Sequence, residues 1–298
     1  MKIIVIGDTH GHDSWKDVVN NEEYDLVVFL GDYLDSFSVR PETIANNLED
    51  IIEFKRNNKD KVILLWGNHD HSYAFNEQCS GFNELGELLY CPILNSALKE
   101  NLFDIIFIYD DIIMSHAGIS EYWLKNVAKL DDVKNINWNN INPKCLNWNS
   151  LTGYDGYGDT ISQSPIWIRP YSLNRNKIKN YRQIVGHTAY KHPTIENDVW
   201  YNDMMPNYYI TITDGIIKFT ENKYCKNKKN KINYTGSHDI AHCYGTFCTK
   251  RNNCRRYIAH LHAKENDYNY LTYLVINEND INEDGCCSSY WEIKREDN

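Results

Sequence analysis

Three short apolar segments within the first 70 residues constrain the fold more than any other feature of this sequence. The segments "KIIVIG", "YDLVVFLG" and "KVILLWG" are rich in β-branched residues, and each ends at a glycine. Continuous apolar runs of this length are typical of strands that are buried on both faces of a sheet. Residues 13–20 can form a short helix after the first run. Between the second and third runs, the apolar residues that follow Pro41 have helical spacing. The pattern predicts a β-α-β-α-β unit with parallel strands.

The segments that follow predict further strands. "FDIIFIYDDIIMSHAG" indicates two strands around a turn at Asp110–Asp111, and "RQIVGHT" indicates another strand. "NYYITITDGIIKFT" predicts a hairpin that turns at Asp214–Gly215. Between "FDIIFIYDDIIMSHAG" and "RQIVGHT", the segment "ISEYWLKNVAKL" predicts a helix. Residues 131–163 predict a long loop or cap because they are rich in Asn, Gly, Tyr and Trp.

Polar side chains follow each glycine-terminated strand. Parallel sheets bind ligands at the carboxyl ends of their strands, so these side chains are expected at one edge. An alternative for Asp8 and His10 is an ordinary turn, since Gly and Asp are common turn residues. The side chains delivered to this edge are Asp8, His10, Asp32, Asp35, Asn68, His69 and Asp70.

Five segments share one arrangement, in which an apolar strand and a small residue precede metal-ligating side chains. In chain order they are "GDTHG", "GDYLD", "GNHD", "SHAG" and "GHT". In this order the set resembles the calcineurin-like metallophosphoesterases, and among them the phosphoprotein phosphatases and related bacterial and phage enzymes. The resemblance covers residues 1–220. It implies a layered α/β fold, an αββα sandwich of two packed sheets flanked by helices, with residues 221–298 as a small C-terminal extension.

The resemblance also implies a centre of two divalent metal ions. Such a pair needs an anionic oxygen to bridge it and neutral imidazoles to complete each shell, and Asp32 is the natural bridge. Ligands without cysteine suit Mn²⁺ first, with Fe or Zn²⁺ as alternatives. With ions about 3.5–4 Å apart, a bridging water becomes hydroxide near neutral pH and can attack phosphorus in line. By resemblance the ligands are Asp8 and His10 for the first ion, Asn68, His116 and His187 for the second, and Asp32 for both.

His69 is the expected general acid. It follows Asn68, so its side chain should point towards the leaving group, and in the family the matching histidine is oriented by an aspartate that Asp35 matches here. A histidine held by a carboxylate stays protonated nearer to neutral pH, which suits proton donation to an alkoxide. The alternative for His69 is a structural role beside the metal ligands.

Two departures from the family pattern concern the substrate site. The protein phosphatases carry Asp-Arg-Gly where this chain has Asp35-Ser36-Phe37, so one phosphate-binding arginine is absent. Arg40 could substitute for it or could be a solvated residue at a helix start. Arg169, in "PIWIRP", resembles the second family arginine and is expected to bind phosphate in bidentate fashion together with Asn68. Ala189 stands where nuclease-like members often carry a further ligand histidine, which favours a phosphatase.

Composition sets limits on partners and location. The formal net charge of -10 argues against broad attraction to nucleic acid or anionic membranes. No apolar run approaches the roughly 20 residues needed to span a bilayer, and "MKIIVIGDTH" is too short for a signal peptide. We therefore expect a cytoplasmic protein without a membrane partner, whose cysteines are free thiols.

The C-terminal extension has a different composition. Six of the nine cysteines lie beyond residue 221, and with nearby histidines they invite a structural zinc site, although no C-x-x-C pair is present. Its clusters "KNKKNK" and "KRNNCRR" either contact nucleic acid or are simply solvated.

The expected activity is metal-dependent hydrolysis of phosphate monoesters, with a phosphoserine or phosphothreonine protein as one substrate class. A phosphatase or phosphodiesterase for nucleotides or nucleic-acid ends is the alternative, favoured by the missing arginine and the basic tail. A third possibility is a binding module that keeps the fold without catalysis.

Overall fold

The computed structural model divides the chain into two compact units, Met1–Lys226 and Asn227–Asn298. Within the residues described, no helix combines the length and the apolar character needed to cross a membrane. The residues that the structure describes are 1–36, 39–77, 79–148, 159–225, 243, 248–254, 256–257, 281–287 and 290.

The first sheet contains the three glycine-terminated strands. They lie side by side and parallel, as the sequence predicts, and the helices α1 (Ser14–Asn21) and α2 (Pro41–Asn57) connect them. The hairpin predicted to turn at Asp214–Gly215 completes this sheet by antiparallel pairing with the first strand. In spatial order the six strands are β11 (Ile216–Glu221), β10 (Tyr208–Thr213), β1 (Lys2–Ile6), β2 (Leu26–Phe29), β3 (Val62–Leu65) and β4 (Phe103–Asp104).

The second sheet begins where the chain leaves the first. The run before the Asp110–Asp111 turn was predicted as one strand, but it forms β4 in the first sheet and β5 in the second, because the chain changes sheets at the buried Ile105. In spatial order the five strands are β5 (Ile106–Tyr109), β6 (Ile112–Ser115), β7 (Arg182–Ala189), β9 (Val199–Asp203) and β8 (Thr194–Glu196). The hairpin of β8 and β9 was not predicted.

Three further α-helices follow or flank the sheets, and one predicted helix is much shorter than expected. The helices are α3 (Asn68–Phe75), α4 (Glu84–Lys99) and α5 (Pro170–Asn176). The segment "ISEYWLKNVAKL" gives only a π-helical stretch, Trp123–Val127, where Ala128 N donates to Trp123 O and thereby widens the turn. Lys129 then adopts a left-handed conformation, which ends the stretch. The predicted loop contains two short 3-10 helices, Val133–Asn135 and Pro143–Leu146.

Alternation along β1 shows how the layers form. Ile3 and Val5 pack in a cluster that joins both sheets, whereas Ile4 and Ile6 pack in the cluster that includes residues of α1 and α2. A third cluster joins Leu173 of α5 to the other face of the second sheet. The result is the expected αββα sandwich, and it places the carboxyl ends of β1, β2 and β3 beside the end of β7.

Candidate metal centre

The loops that follow β1, β2 and β7 are tied to one another by hydrogen bonds. The backbone N–H groups of Thr9 and His10 donate to Asp32 O at 3.2 and 3.0 Å. From the second sheet, His187 N donates to Asp8 Oδ2 at 2.9 Å. Residues far apart in sequence therefore meet at one edge of the sandwich, as the strand pattern predicts.

Asp32 belongs to two groups of metal-ligating side chains. The first group is Asp8, His10 and Asp32, and the second is Asp32, His116 and His187; within each group the ligand atoms lie within 4.8 Å of one another. The side chains of Asp8 and Asp32 are almost fully buried, with 4% and 2% of each residue exposed. Asp32 is the one residue that the two groups share, which is the position that a bridging carboxylate must occupy.

Backbone carbonyls fix the protonation of two of the histidines. His10 Nδ1 lies 2.9 Å from Leu34 O, and His116 Nδ1 lies 3.0 Å from Leu30 O. A carbonyl only accepts, so each Nδ1 carries the proton, and the Nε2 of a neutral ring is left with a lone pair. Metal-ligating histidines are held in this way in many proteins.

His187 is oriented by the opposite ring nitrogen. Its Nε2 lies 3.2 Å from Trp167 O and donates to it, so that Nδ1 is available as the ligand atom. Burial, followed by the charges of Arg169 and His116, lowers the pKa of His187 well below its usual value. The ring is therefore neutral, which is the form that binds a metal ion.

Several acceptor atoms of the site converge on one another. His116 Nε2 lies 2.9 Å from Asn68 Oδ1 and 3.2 Å from Asp32 Oδ2, and none of these atoms donates if the ring is neutral. Asp8 Oδ1 is buried and has no hydrogen-bond partner in the described part of the chain. Burial and then the charge of Asp203 raise the pKa of Asp8 well above its usual value. This donor set of carboxylate, amide and imidazole atoms fits divalent cations.

Four of these residues have an unusual backbone. His10, Asp32, Asp35 and His187 have φ values of 44°, 52°, 57° and 62°, in the left-handed region. Such conformations cost about 1–3 kcal/mol each for residues other than glycine and occur often at functional sites.

Two glycines leave space for the buried carboxylates. A Cβ atom on Gly67 would lie 2.2 Å from Asp32 Oδ1, and one on Gly186 would lie 2.0 Å from Asp8 Oδ1. Both distances are far below van der Waals contact, so a side chain at either position would displace a carboxylate. The glycines in "GNHD" and "GHT" are therefore needed for close approach.

His69 lies beside this cluster and pairs with Asp35. Its Nδ1 is 2.8 Å from Asp35 Oδ2, and its Nε2 is 3.9 Å from Asp32 Oδ2. The Tyr73 hydroxyl donates to the other oxygen of Asp35. Burial alone would lower the pKa of His69, but the carboxylates of Asp32 and Asp35 outweigh it and raise the pKa well above its usual value. The ring therefore carries a proton on each of its two nitrogens near neutral pH.

Arg169 is held at the rim of the cluster. It directly precedes α5, and its Nη1 donates to His187 O and to Thr188 Oγ1, both at 3.1 Å. Burial lowers the pKa of this guanidinium, while the surrounding carboxylates, Asp32 first among them, act in the opposite direction. The positive charge thus lies close to the metal-ligating groups.

Arg40 is not joined to the site in the same way. It is exposed at the start of α2, and in the described ranges no hydrogen bond or ion pair links its side chain to the cluster. Phe37, of the segment that departs from the family pattern, lies outside the described residues.

Two acids, the buried Asp70 and the half-buried Asp203, contribute to the site without having been assigned a role from the sequence. Asp70 accepts hydrogen bonds from Asp32 N at 2.9 Å and Tyr33 N at 3.0 Å, and therefore fixes the loop after β2. Burial and the charge of Asp32 raise the pKa of Asp70 to about 7. Asp203 ends β9 opposite Ala189, and its charge acts on Asp8. An acid at the end of a strand was the available signal for Asp203, but that strand was not recognised.

The C-terminal unit shows buried thiols without a metal-ligating group. Cys243, Cys254, Cys286 and Cys287 are buried cysteines. In the part of this unit that is described, they form no set of three ligands within 4.8 Å. The segment "KNKKNK", part of "KRNNCRR" and the nearby histidines at 242, 260 and 262 lie outside the described residues.

Comparisons with known proteins bear on the family and the fold of this chain. The sequence model of the calcineurin-like phosphoesterases matches residues 1–264. No curated protein is significantly similar in sequence. Among solved structures, a cold-active protein-tyrosine phosphatase from the psychrophile Shewanella sp. has 16% identity and a TM-score of 0.54, covering 75% of this chain and 78% of its own. A Saccharomyces cerevisiae serine/threonine phosphatase with similarity to human PP5 has 16% identity and a TM-score of 0.47, covering 74% and 80%.

Proposed function

The chain belongs to the calcineurin-like phosphoesterase family, and from this premise we propose that it hydrolyses phosphate monoesters by direct attack of water on phosphorus. The family consists of phosphoric ester hydrolases that depend on two metal ions. The observation that supports the proposal most is the buried carboxylate of Asp32, which is common to two groups of ligand side chains.

The metal ions, Mn²⁺ in our proposal, would be held by Asp8, His10 and Asp32 in one group and by Asp32, Asn68, His116 and His187 in the other. When bound, such ions lower the pKa of water and neutralise charge on the phosphoryl group. The remaining steps depend on this chain's own side chains.

Two side chains are proposed to bind the phosphoryl group. Arg169 presents a guanidinium whose Nη1 is fixed by His187 O and Thr188 Oγ1, and such a planar group matches phosphate oxygens in bidentate geometry. The amide of Asn68 lies next to the ligand atoms of His116 and Asp32 and would position a phosphate oxygen there.

His69 is proposed to protonate the leaving oxygen. Nδ1 is engaged by Asp35, so Nε2, which faces Asp32, is the nitrogen that can donate to substrate. The raised pKa keeps this proton available near neutral pH. Loss of an alkoxide needs a proton, whereas loss of a stable phenolate needs it much less.

A phosphoserine or phosphothreonine protein is the first proposed substrate class. A second candidate, a phosphatase or phosphodiesterase for nucleotides or nucleic-acid ends, is favoured by one specific observation: Ser36 stands where the protein phosphatases carry an arginine. With fewer guanidinium contacts, a site can accept a less negatively charged diester.

The test is a comparison of p-nitrophenyl phosphate with bis-p-nitrophenyl phosphate, using metal-free protein and protein loaded with Mn²⁺. We expect Mn²⁺-dependent turnover that favours the monoester, and no turnover by the Asp32→Asn variant. A panel of phosphopeptides, nucleotides and 5′- or 3′-phosphorylated oligonucleotides then assigns the substrate class. Preference for the diester would contradict the monoesterase proposal, and no turnover of either ester would favour a binding module.

A further inference from the structure

A third set of metal-ligating atoms lies beside the proposed general acid. Asp35, His69 and Cys79 offer a carboxylate oxygen, a ring nitrogen and a thiol sulfur that all lie within 4.8 Å of one another. Cys79 comes from the segment between α3 and α4, and nothing in the proposed reaction uses it. The three atoms meet at Nδ1 of His69, the nitrogen that faces away from Asp32.

The distance between sulfur and nitrogen in this set matches a tetrahedral zinc site. Zn–S and Zn–N bonds of about 2.3 and 2.0 Å at a tetrahedral angle place sulfur and nitrogen about 3.5 Å apart. Cys79 Sγ lies 3.5 Å from His69 Nδ1. The Asp35 oxygen lies 2.8 Å from the same nitrogen, so it would move away by about 0.5 Å to reach the corresponding oxygen–nitrogen distance.

The segment that carries Cys79 is attached to the site by hydrogen bonds. Cys79 N donates to Ser72 Oγ at 3.3 Å, and Phe82 N donates to Cys79 O at 3.1 Å. Gly81 packs directly over Asp35, where a Cβ atom would lie 3.4 Å from Asp35 Cβ. The thiol is therefore positioned next to the imidazole by the local fold.

The cluster is accessible to a small cation. Cys79 is half-buried, and 19% of the His69 side chain is exposed, whereas only 4% of the Asp35 side chain is. Three ligands of the Cys, His and carboxylate types with access to solvent leave the fourth zinc position for water, in contrast to closed structural zinc sites with four protein ligands. Soft sulfur also distinguishes this set from the oxygen and nitrogen ligands around Asp32.

We propose that Cys79, His69 and Asp35 form an inhibitory Zn²⁺ site. Zn²⁺ replaces the thiol proton and the proton on Nδ1, both of which go to solvent. The Asp35 oxygen then binds Zn²⁺ and no longer accepts the hydrogen bond from His69. The imidazole is then held by a metal ion in place of its carboxylate partner. Nε2 keeps its proton, but losing it would leave an imidazolate and not a neutral ring, so His69 becomes a much weaker acid towards the leaving oxygen. The inhibitory part of this inference rests on the proposed phosphatase function, whereas zinc binding does not.

Zinc binding is tested first, without an activity measurement. The full chain is saturated with Mn²⁺, Zn²⁺ is added in steps, and the rate of iodoacetamide alkylation at Cys79 is measured by peptide-resolved mass spectrometry. We expect Zn²⁺ to slow alkylation of Cys79 at least ten-fold and to leave Cys145, a half-buried thiol elsewhere in the same unit, unchanged. The His69→Ala variant should lose this protection. Equal alkylation of Cys79 with and without Zn²⁺ would overturn the site.

Inhibition is tested second, with p-nitrophenyl phosphate and a phosphoserine peptide. Cys79→Ser should keep the zinc-free rate and raise the half-inhibitory Zn²⁺ concentration at least ten-fold, whereas Cys145→Ser should behave as the wild type. Equal inhibition of Cys79→Ser and wild type would show that Zn²⁺ acts by replacing Mn²⁺, which would overturn the inhibitory role. Absence of turnover would contradict the proposed function, while the alkylation result would still decide whether the zinc site exists.

Discussion

Nδ1 of His69 lies 2.8 Å from Asp35 Oδ2, while Nε2 of the same ring faces Asp32 Oδ2 at 3.9 Å. The two ring nitrogens therefore have separate environments, one formed by a carboxylate that orients the ring and one formed by the metal-ligating cluster. If His69 is the general acid proposed above, this relationship gives its proton transfer a defined direction.

His69→Ala tests that direction. The variant should slow hydrolysis of a phosphoserine peptide by about 10²–10⁴-fold, because an alkoxide leaving group needs the proton, and it should slow p-nitrophenyl phosphate much less. Metal content, measured by mass spectrometry, should remain at the wild-type level. His192→Ala, an exposed histidine outside the cluster, is the matched control. Equal slowing of both esters would be inconsistent with a general acid.

Gly186→Ala tests the space around Asp8. The new Cβ would lie 2.0 Å from Asp8 Oδ1, so the carboxylate must move out of the position in which it can bind metal. We expect at least a hundred-fold weaker Mn²⁺ binding by calorimetry, with circular dichroism unchanged. Ala189→Ser, at an exposed position of the same strand, should bind Mn²⁺ as the wild type does. Normal Mn²⁺ affinity in Gly186→Ala would mean that Asp8 is not a ligand.

Arg169→Ala and Arg40→Ala separate the two candidate phosphate-binding arginines. Arg169 is half-buried and fixed by two hydrogen bonds, whereas Arg40 is exposed. A charge-assisted bidentate contact contributes about 2–3 kcal/mol, so Arg169→Ala should lower kcat/KM about 30–160-fold. Arg40→Ala should change it less than about two-fold. The reverse order of effects would assign the missing arginine's role to Arg40.

His71 gives the fold a dependence on pH that is separate from the metal centre. It is fully buried, Trp66 Nε1 donates to its Nδ1 at 3.1 Å, and its Nε2 lies 3.1 Å from Asn147 Oδ1. This arrangement requires the neutral ring, and burial lowers the pKa of His71 to about 4 from an ordinary 6.5. The carboxyl of Glu77, 3.7 Å from Nε2, also has a pKa raised by burial, which limits its support for a charged ring.

Because the unfolded chain binds this proton below about pH 6.5 and the folded chain does not until about pH 4, stability should fall as pH decreases through that window. The loss is about 3 kcal/mol. Urea unfolding between pH 7 and pH 4 measures it. His71→Gln keeps one acceptor and one donor but does not titrate, so its stability should vary less with pH. An equal slope in both proteins would show that His71 does not cause the dependence.

The proximity of the proposed ligands was largely predictable from the sequence, because parallel strands must end at one edge of a sheet. Asp8, Asp32 and Asn68 follow such strands directly, so the strand pattern alone brings them near one another. Short-range signals of this kind do not report pairing between distant segments. Asp203 approaches Asp8 only because β9 pairs with β7, and that pairing has no local signature.

The surroundings of His69 show a second limit. Tyr73 and Cys79 reach Asp35 and His69 because α3 and the segment after it fold back over the end of β2. Nothing in the residue types of this segment specifies that return. The change of sheet at Ile105 has the same origin, since an apolar run indicates burial but not which sheet provides its partner.

The central claim is that Asp32 bridges two metal ions, and anomalous diffraction from crystals grown with Mn²⁺ tests it most directly. The expected result is two Mn²⁺ peaks about 3.5–4 Å apart, one beside Asp8 and His10 and one beside His116 and His187, with Asp32 contacting both. A single peak, or two peaks that do not share Asp32, would contradict the account.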